Sequence, residues 1–383
     1  MKYDNIFAAC MFTYFAACST VAPFMPIYLS RSLTPFQIGI IMAVLPVSMI
    51  LFQPIWGRAA DKWGVCRILM LALLMTALST AGFLATDSFR GLLLVYSIYS
   101  FFIISISALI DALTLAICGD RYGRIRLWGS AGYGIGVFIS GVFKSSLLGC
   151  WSFIIHMFLM LLTLTIVLNI PDNRPEKPLT PQNGRNSENR LPFKNFRFLL
   201  LLFSFFLTGV VCKGYDNFYP VGISELKASD FLLGTAWIIE MIPEMILLYY
   251  LDRIIVKISV WYVLIAGTAA FALRMAVLGS FPVLWVWIAS QPLSSLAFSS
   301  WYFGAVNLMS KIAGEQRKAS GQALFWSVSY GFGGVAGSFL SGYLVDTLTV
   351  MAYFRVASAL CCISAGILLI LWKVGKIKTL LIK

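Results

Sequence analysis

The sequence has little of what enzymes use for chemistry. Only 12% of its 383 residues are charged, and His156 is its one histidine. Its eight cysteines include no CxxC pair, so they read as small apolar packing residues. HExxH, GxGD and any nucleophile–histidine set are also missing. These absences argue against an enzyme and predict no catalytic residue, no metal site and no cofactor. We expect His156 to be a satisfied or an interfacial histidine rather than a proton relay.

Apolar residues are abundant instead. They make up 60% of the chain, and the mean hydropathy is +0.85. Twelve apolar runs approach the length of about 20 residues that a helix needs to cross a bilayer. They lack the alternation of barrel strands. We predict an all-α membrane protein with twelve transmembrane helices and no separate soluble domain. The predicted spans are 5–29, 36–56, 68–86, 91–117, 127–148, 151–169, 197–220, 231–251, 258–279, 282–309, 321–344 and 349–372.

One long polar stretch, PDNRPEKPLTPQNGRNSENRLPFKNF at residues 171–196, separates six apolar runs from the other six. The other segments between apolar runs are short, so we interpret this stretch as a linker. We therefore predict an N-terminal six-helix bundle over 1–170 and a C-terminal six-helix bundle over 197–383.

The net charge of +13 follows the positive-inside rule. With a cytoplasmic N-terminus, only Arg31, Arg90, Lys144 and Lys227 fall outside, and three basic residues fall within spans. The other 22 of 29 Lys and Arg face the cytoplasm. We predict a multi-pass protein of the cell membrane with cytoplasmic termini and linker. Nucleic-acid binding is the competing explanation of a basic chain, but no basic cluster is interleaved with exposed aromatics.

A glycine pattern occurs once in each half. Gly132–Gly141 reads GYGIGVFISG and Gly333–Gly342 reads GGVAGSFLSG, so both contain GxxxGxFxSG. Small residues at this spacing share one helix face and let a second helix approach closely. The repetition indicates two related, pseudo-symmetric six-helix bundles.

The loop after the second span matches the major facilitator signature G-x-x-x-D-[RK]-x-G. Its glycines permit a tight turn, and its aspartate can accept hydrogen bonds from a helix N-terminus. A plain solvated loop is the alternative. The resemblance implies a conformational latch made of Gly57, Asp61, Lys62, Gly64 and Arg67. The corresponding segment after the eighth span, with Asp252, Arg253 and Lys257, lacks the glycines.

The segment from Tyr122 to Tyr133, YGRIRLWGSAGY, resembles the subgroup of the superfamily that contains lactose permease, nucleoside:proton symporters and phenylpropionate permeases. With the loop signature and the order of spans, the resemblance covers essentially the whole chain. It implies the major facilitator fold, with alternating access to a site between two halves. It also implies that Arg126 binds solute, that Tyr133 stacks on it, and that Asp111 partners the arginine. A salt bridge that only sets topology is the alternative for Asp111 and Arg126.

The second half carries five ionisable residues within spans. By the same resemblance, Asp216, Glu240 and Arg274 match charged residues of the family in spans seven, eight and nine. We expect Asp216 and Arg274, together with Lys213, to bind solute. Lys213 and Asp216 are three residues apart and can pair on one helix face. Glu240 and Glu244 are four apart, and two enclosed carboxylates do not both ionise cheaply, so one is expected to carry a proton. Alternatively, Glu244 simply lines an aqueous cavity.

The tenth span departs from the family pattern. Ser294 and Ala297 occupy the positions of a histidine and of a glutamate in lactose permease. Coupling would then rest on Glu240, Glu244 and Asp216, or be altered or absent. We predict a monomeric secondary transporter for proton-coupled uptake of a sugar, nucleoside or aromatic acid, with solute, protons and lipid as partners. Drug or metabolite efflux by antiport, and a transporter-like sensor without flux, remain alternatives.

Overall fold

The computed structural model describes residues 2–142, 148–170, 192–314 and 317–374, and these ranges are helical without a strand. The helices are α1 Lys2–Val21, α2 Met25–Leu29, α3 Pro35–Trp63, α4 Val65–Ala81, α5 Phe89–Cys118, α6 Tyr122–Val142, α7 Leu148–Val167, α8 Phe196–Glu225, α9 Asp230–Lys257, α10 Val260–Ser280, α11 Leu284–Ala289, α12 Gln291–Ala313, α13 Lys318–Trp326, α14 Gly333–Thr347 and α15 Val350–Lys373. A π-helical segment, Ser327–Phe332, joins α13 to α14. Most of the predicted linker, residues 171–191, lies outside the described residues.

Within the described residues, each predicted span coincides with a helix or with consecutive helical segments, and residues 143–147 of the fifth predicted span lie outside them. By length and composition, eight helical stretches of the described chain can cross a membrane. α6, α7, α9 and α12 occupy the remaining four predicted spans. The first span is interrupted before Pro26, and the tenth divides at Ser290, before Pro292. Proline has no N–H to donate within a helix and is favoured in the first turn, so helices restart there.

The helix that contains the second predicted span, α3, is longer than hydropathy predicts. α3 continues from the apolar run through Gly57 to Trp63 and ends at Gly64, whose φ of 96° favours glycine. Hydropathy marks where apolar side chains stop, whereas a helix continues until its backbone pattern is broken. Gly57 therefore lies within a helix rather than in a turn, and a Cβ there would meet open space.

The chain divides into two compact units, Met1–Asn183 with Ala228–Thr235 and Gly184–Lys227 with Ala236–Lys383. In the first, α1 packs on α6 and α7, and α4 packs on α5 and α7. In the second, α10 packs on α12 and α15, and α8 packs on α14 and α15.

The repeated glycine pattern produces equivalent helix contacts in the two units. Cβ atoms at Gly132 and Gly136 would clash with backbone carbonyls of α1. A Cβ at Gly337 would clash with the Val210 carbonyl of α8, and one at Gly333 would lie 3.0 Å from the Phe206 carbonyl oxygen. The small residues thus let α6 approach α1 and let α14 approach α8, as predicted.

Candidate solute and coupling site

A buried polar network in the second unit surrounds Arg274 of α10. The Arg274 side chain has no exposed surface. Its Nη1 donates to Ser290 Oγ at 2.9 Å, and its Nη2 donates to Gln291 Oε1 at 2.6 Å and Tyr215 Oη at 3.1 Å. Gln291 Nε2 donates in turn to Tyr219 Oη at 2.9 Å. The guanidinium is therefore enclosed by protein groups, and only its Nε has no partner in the described chain.

Glu240 of α9 joins this network through hydroxyl groups. Ser294 Oγ donates to Glu240 Oε1 at 2.6 Å, and Tyr215 Oη donates to Oε2 at 3.2 Å. Ser295 Oγ donates to the backbone carbonyl of Glu240. Among the described residues no ion pair joins Glu240 and Arg274 directly, because Tyr215 lies between them. A serine at the position of the missing histidine thus contacts the predicted coupling carboxylate.

The tyrosines of the network lie on one face of α8. Tyr215 and Tyr219 are one turn apart, with ring centroids 5.0 Å apart, and Tyr219 stacks on Trp287 at 5.8 Å. Arg274 lies 5.4 and 5.6 Å from these two tyrosine centroids, within the range of cation–π attraction. Sequence reasoning missed Tyr215, Tyr219 and Gln291. The available signal was a glutamine in an apolar span, together with a tyrosine pair at i and i+4.

The other charged residues predicted to act in the second unit are less buried than Arg274. Lys213, Asp216 and Glu244 are half-buried, and their side chains have no hydrogen bond or ion pair in the described chain. Lys213 and Asp216 interact electrostatically across one helix turn without direct contact. Asp216 and Glu244 each lie within electrostatic range of Glu240. We term the three half-buried groups Lys213, Asp216 and Glu244 the open charge cluster.

In the first unit the predicted residues form a second polar group. Arg126 is half-buried, and its guanidinium lies 4.1 Å from the centroid of the Phe15 ring. Gly129 makes room for it, because a Cβ there would lie 2.6 Å from Arg126 Nη1. Tyr122 Oη donates to Asp111 Oδ1 at 3.1 Å. Asp111 interacts electrostatically with Arg126 but forms no ion pair with it. Tyr133 lies half-buried on α6, two turns after Arg126.

The residues of the predicted latch lie at the junction of α3 and α4. Asp61, Lys62 and Arg67 are exposed, and the Lys62 ammonium lies 5.3 Å from the centroid of the Trp63 ring. Next to them, α3 and α5 line an open cavity of about 510 Å³ whose polar lining residues include Gln53, Arg58, Asp61 and Ser105. The side chains of Asp252, Arg253 and Lys257 lie outside the described residues.

His156 is a buried packing residue of the first unit. It has no exposed surface, and its Nδ1 lies 2.8 Å from the carbonyl oxygen of Ala17. Its Nε2 has no partner in the described chain.

Comparison with known proteins places the chain in a family. The profile of the MFS_1 like family matches residues 5–356, so the chain belongs to this family. It is 25% identical to the maltose permease of Geobacillus stearothermophilus over 96% of this chain and 93% of that one. It is 23% identical to the probable 3-phenylpropionic acid transporter of Escherichia coli (strain K12), over 80% and 82% of the two chains.

The structure supports the same assignment. The crystal structure of nucleoside transporter NupG matches with a TM-score of 0.85 at 18% identity, covering 97% of this chain and 100% of that one. At this identity the likeness shows the fold. The protein is therefore a multi-pass membrane transporter with the twelve-helix major facilitator fold, and the predicted family and fold are confirmed.

Proposed function

We propose that this transporter takes up a small solute with a hydroxylated ring, a sugar or nucleoside, together with protons, by alternating access. The observation that carries the proposal is the contrast within the second unit. A buried network holds Glu240, which is 9% exposed, and Arg274, which has no exposed surface, and the half-buried open charge cluster lies beside it. Ionisable groups inside membrane helices are costly and usually mark the pathway of a solute or proton.

The enclosed network supports proton coupling at Glu240. Tyr215 has one hydroxyl hydrogen but two acceptors, Glu240 Oε2 at 3.2 Å and Gln291 Oε1 at 3.1 Å, so it donates fully to one at a time. A proton bound to Glu240 would remove a negative charge and turn one acceptor into a donor. Tyr215 would then favour Gln291, and the hydrogen bonds of Arg274 would change with it. Protonation of Glu240 is thereby linked to the packing of α8, α10 and α12.

The open charge cluster supports the choice of solute. Asp216 and Glu244 supply carboxylate acceptors, and Lys213 supplies the one cation of the cluster. Hydroxyl groups can donate to both carboxylates, whereas a solute carboxylate would be repelled by two like charges. This balance favours a sugar or nucleoside over an aromatic acid. Among the relatives of this chain, the maltose permease fits this class by its name.

The test is uptake into liposomes containing the purified protein, with maltose, uridine and 3-phenylpropionate as radiolabelled probes. An inward proton gradient should drive accumulation of maltose or uridine, and a protonophore should abolish it. Accumulation of 3-phenylpropionate alone would contradict the solute class. Flux of maltose or uridine that does not depend on the proton gradient would contradict proton coupling. Proton-driven extrusion of the solute would indicate an efflux antiporter.

A further inference from the structure

The eleventh span contains a feature that the proposed function leaves unused. Between α13 and α14, residues Ser327–Phe332 form a π-helical segment. π-helical turns are rare and often occur at functional sites. The segment is pressed against α8 at Gly209, because a Cβ there would clash with the Ser329 carbonyl. Since Gly209 and Asp216 are seven residues apart, they share one side of α8. The segment thus packs on the helix face that carries Asp216.

Tyr330 is the residue that this packing brings to the open charge cluster. Its side chain is half-buried, and its hydroxyl lies within electrostatic range of the Asp216 and Glu244 carboxylates. No hydrogen-bond partner of this hydroxyl occurs among the described residues. A tyrosine hydroxyl so placed can donate to a ligand oxygen or accept from a ligand hydroxyl.

Aromatic rings complete the surroundings of Tyr330. The Trp326 ring lies 4.5 Å from it, centroid to centroid, and the Trp301 ring lies 6.3 Å from it. Trp326 is 36% exposed, so part of its indole surface is accessible. Trp301 is fully buried, and its indole N–H has no acceptor in the described chain. A buried donor without an acceptor costs free energy, so an oxygen atom from outside the protein would be stabilising there.

We propose that Tyr330 and Trp326, held by the π-helical segment, form a solute subsite with Asp216 and Glu244. The rings offer a face on which a sugar or ribose ring can stack, and the two carboxylates accept hydrogen bonds from its hydroxyl groups. The subsite deepens the proposed function and rests on it for the identity of the solute. Tyr330 then determines solute specificity, because its ring stacks on a flat face of the solute and its hydroxyl forms a hydrogen bond with a polar group at the edge of the solute.

The first test asks whether Tyr330 borders water, and it needs no solute. In a cysteine-free background, Tyr330→Cys and Ser329→Cys are placed in lipid nanodiscs, which expose both membrane faces. A charged methanethiosulfonate reagent should modify Tyr330→Cys and leave Ser329→Cys, which has no exposed surface, unmodified. Equal or slower modification of Tyr330→Cys would overturn the subsite.

The second test measures affinity for maltose, uridine and 3-phenylpropionate by calorimetry in the same nanodiscs. Tyr330→Phe should weaken binding of the hydroxylated probe about 2- to 10-fold, the effect of one hydrogen bond. Tyr330→Ala should weaken it by roughly tenfold or more, because the ring is lost as well. The same changes at exposed Tyr343 of α14 are the control and should leave affinity unchanged.

The two proposals fail separately. Binding by Tyr330→Ala within about twofold of the wild-type protein would overturn the subsite. Loss of proton-driven uptake alone would overturn the proposed function but not the subsite, because labelling and equilibrium binding do not require coupling.

Discussion

The carboxylate of Glu240 accepts hydrogen bonds from hydroxyl groups on two other helices, Tyr215 of α8 and Ser294 of α12. Hydroxyl groups can accept as well as donate, so they can still hydrogen-bond to the carboxyl group after it binds a proton. A fixed cation beside the carboxylate would oppose that protonation. Arg274 lies one hydrogen bond further away, bound to Tyr215. At the residue scale, hydroxyl groups rather than a cation therefore hold the carboxylate of Glu240.

The first prediction concerns that proton. Glu240→Gln keeps one acceptor oxygen, for Ser294 or Tyr215, and presents an N–H donor to the other hydroxyl. It cannot exchange a proton, so it should abolish proton-driven accumulation. Glu244→Gln should only shift the pH dependence, because Glu244 is half-buried and outside the hydrogen-bonded network. The measurement is solute-induced proton movement in liposomes. Unchanged movement in both variants and in the double variant would locate coupling elsewhere, with Asp216 the next candidate.

The second prediction concerns Gln291, which accepts from Arg274 and donates to Tyr219. Gln291→Leu should leave buried donors unpaired and destabilise the protein by about 1–3 kcal/mol per group, lowering its thermal unfolding midpoint. The matched control is Gln322→Leu, since half-buried Gln322 makes one side-chain hydrogen bond, to Ser310. Equal midpoints for the two variants would show that the Arg274 network does not depend on Gln291.

The third prediction concerns Arg126. Arg126→Lys should reduce uptake by about tenfold or more at normal expression, because an ammonium replaces neither the flat stack on Phe15 nor a two-pronged hydrogen bond. Arg124→Lys, exposed on the same helix, should transport normally. If uptake survives in Arg126→Lys, the arginine is structural.

At the scale of helices, glycine contacts decide which pairs pack closely. α6 lies against α1 and α14 lies against α8, each through glycines at i and i+4. Proline interrupts the first and tenth spans, and the π-helical segment divides the eleventh. The fold therefore combines close-packed pairs with interrupted helices, and the interruption at Ser290 occurs where Arg274 meets Ser290 and Gln291.

The fourth prediction tests one close pair. Gly132→Ala should destabilise the protein by about 1–3 kcal/mol, the usual cost of overpacking, because the new methyl group meets the Phe12 carbonyl. Gly366→Ala on α15 is the control, since its Cβ would meet open space and alanine favours a helix. Thermal unfolding in detergent compares them. A Gly132→Ala midpoint equal to that of Gly366→Ala would mean that α1 can move away freely.

At the scale of the whole molecule, the distribution of Lys and Arg predicts how the chain lies in the membrane. In a cysteine-free background, Asn183→Cys in the linker should react in intact cells only with a membrane-permeant maleimide. Asp87→Cys, exposed between α4 and α5, should also react with an impermeant one. Impermeant labelling of Asn183→Cys would reverse the predicted topology.

The sequence by itself determined the twelve spans, the family and the glycine faces on which another helix packs closely. Each depends on neighbours along the chain, either an apolar run of bilayer length or small residues one helical turn apart. It also located Glu240 and Arg274, because charges are conspicuous in apolar helices. It did not reveal that α3 extends to Trp63, since apolar patterning reports lipid contact rather than helix length.

Only the tertiary structure decided which charges are enclosed and which are open. Arg274 is bonded to Tyr215 and Gln291, and Glu240 to Ser294, residues that belong to different helices and are far apart along the chain. Lys213 and Asp216, whose spacing predicts a pair, make no direct contact with each other. A hydrogen bond depends on where two helices meet and how each is rotated. Packing of the whole bundle sets both quantities, and spacing along one helix does not contain them.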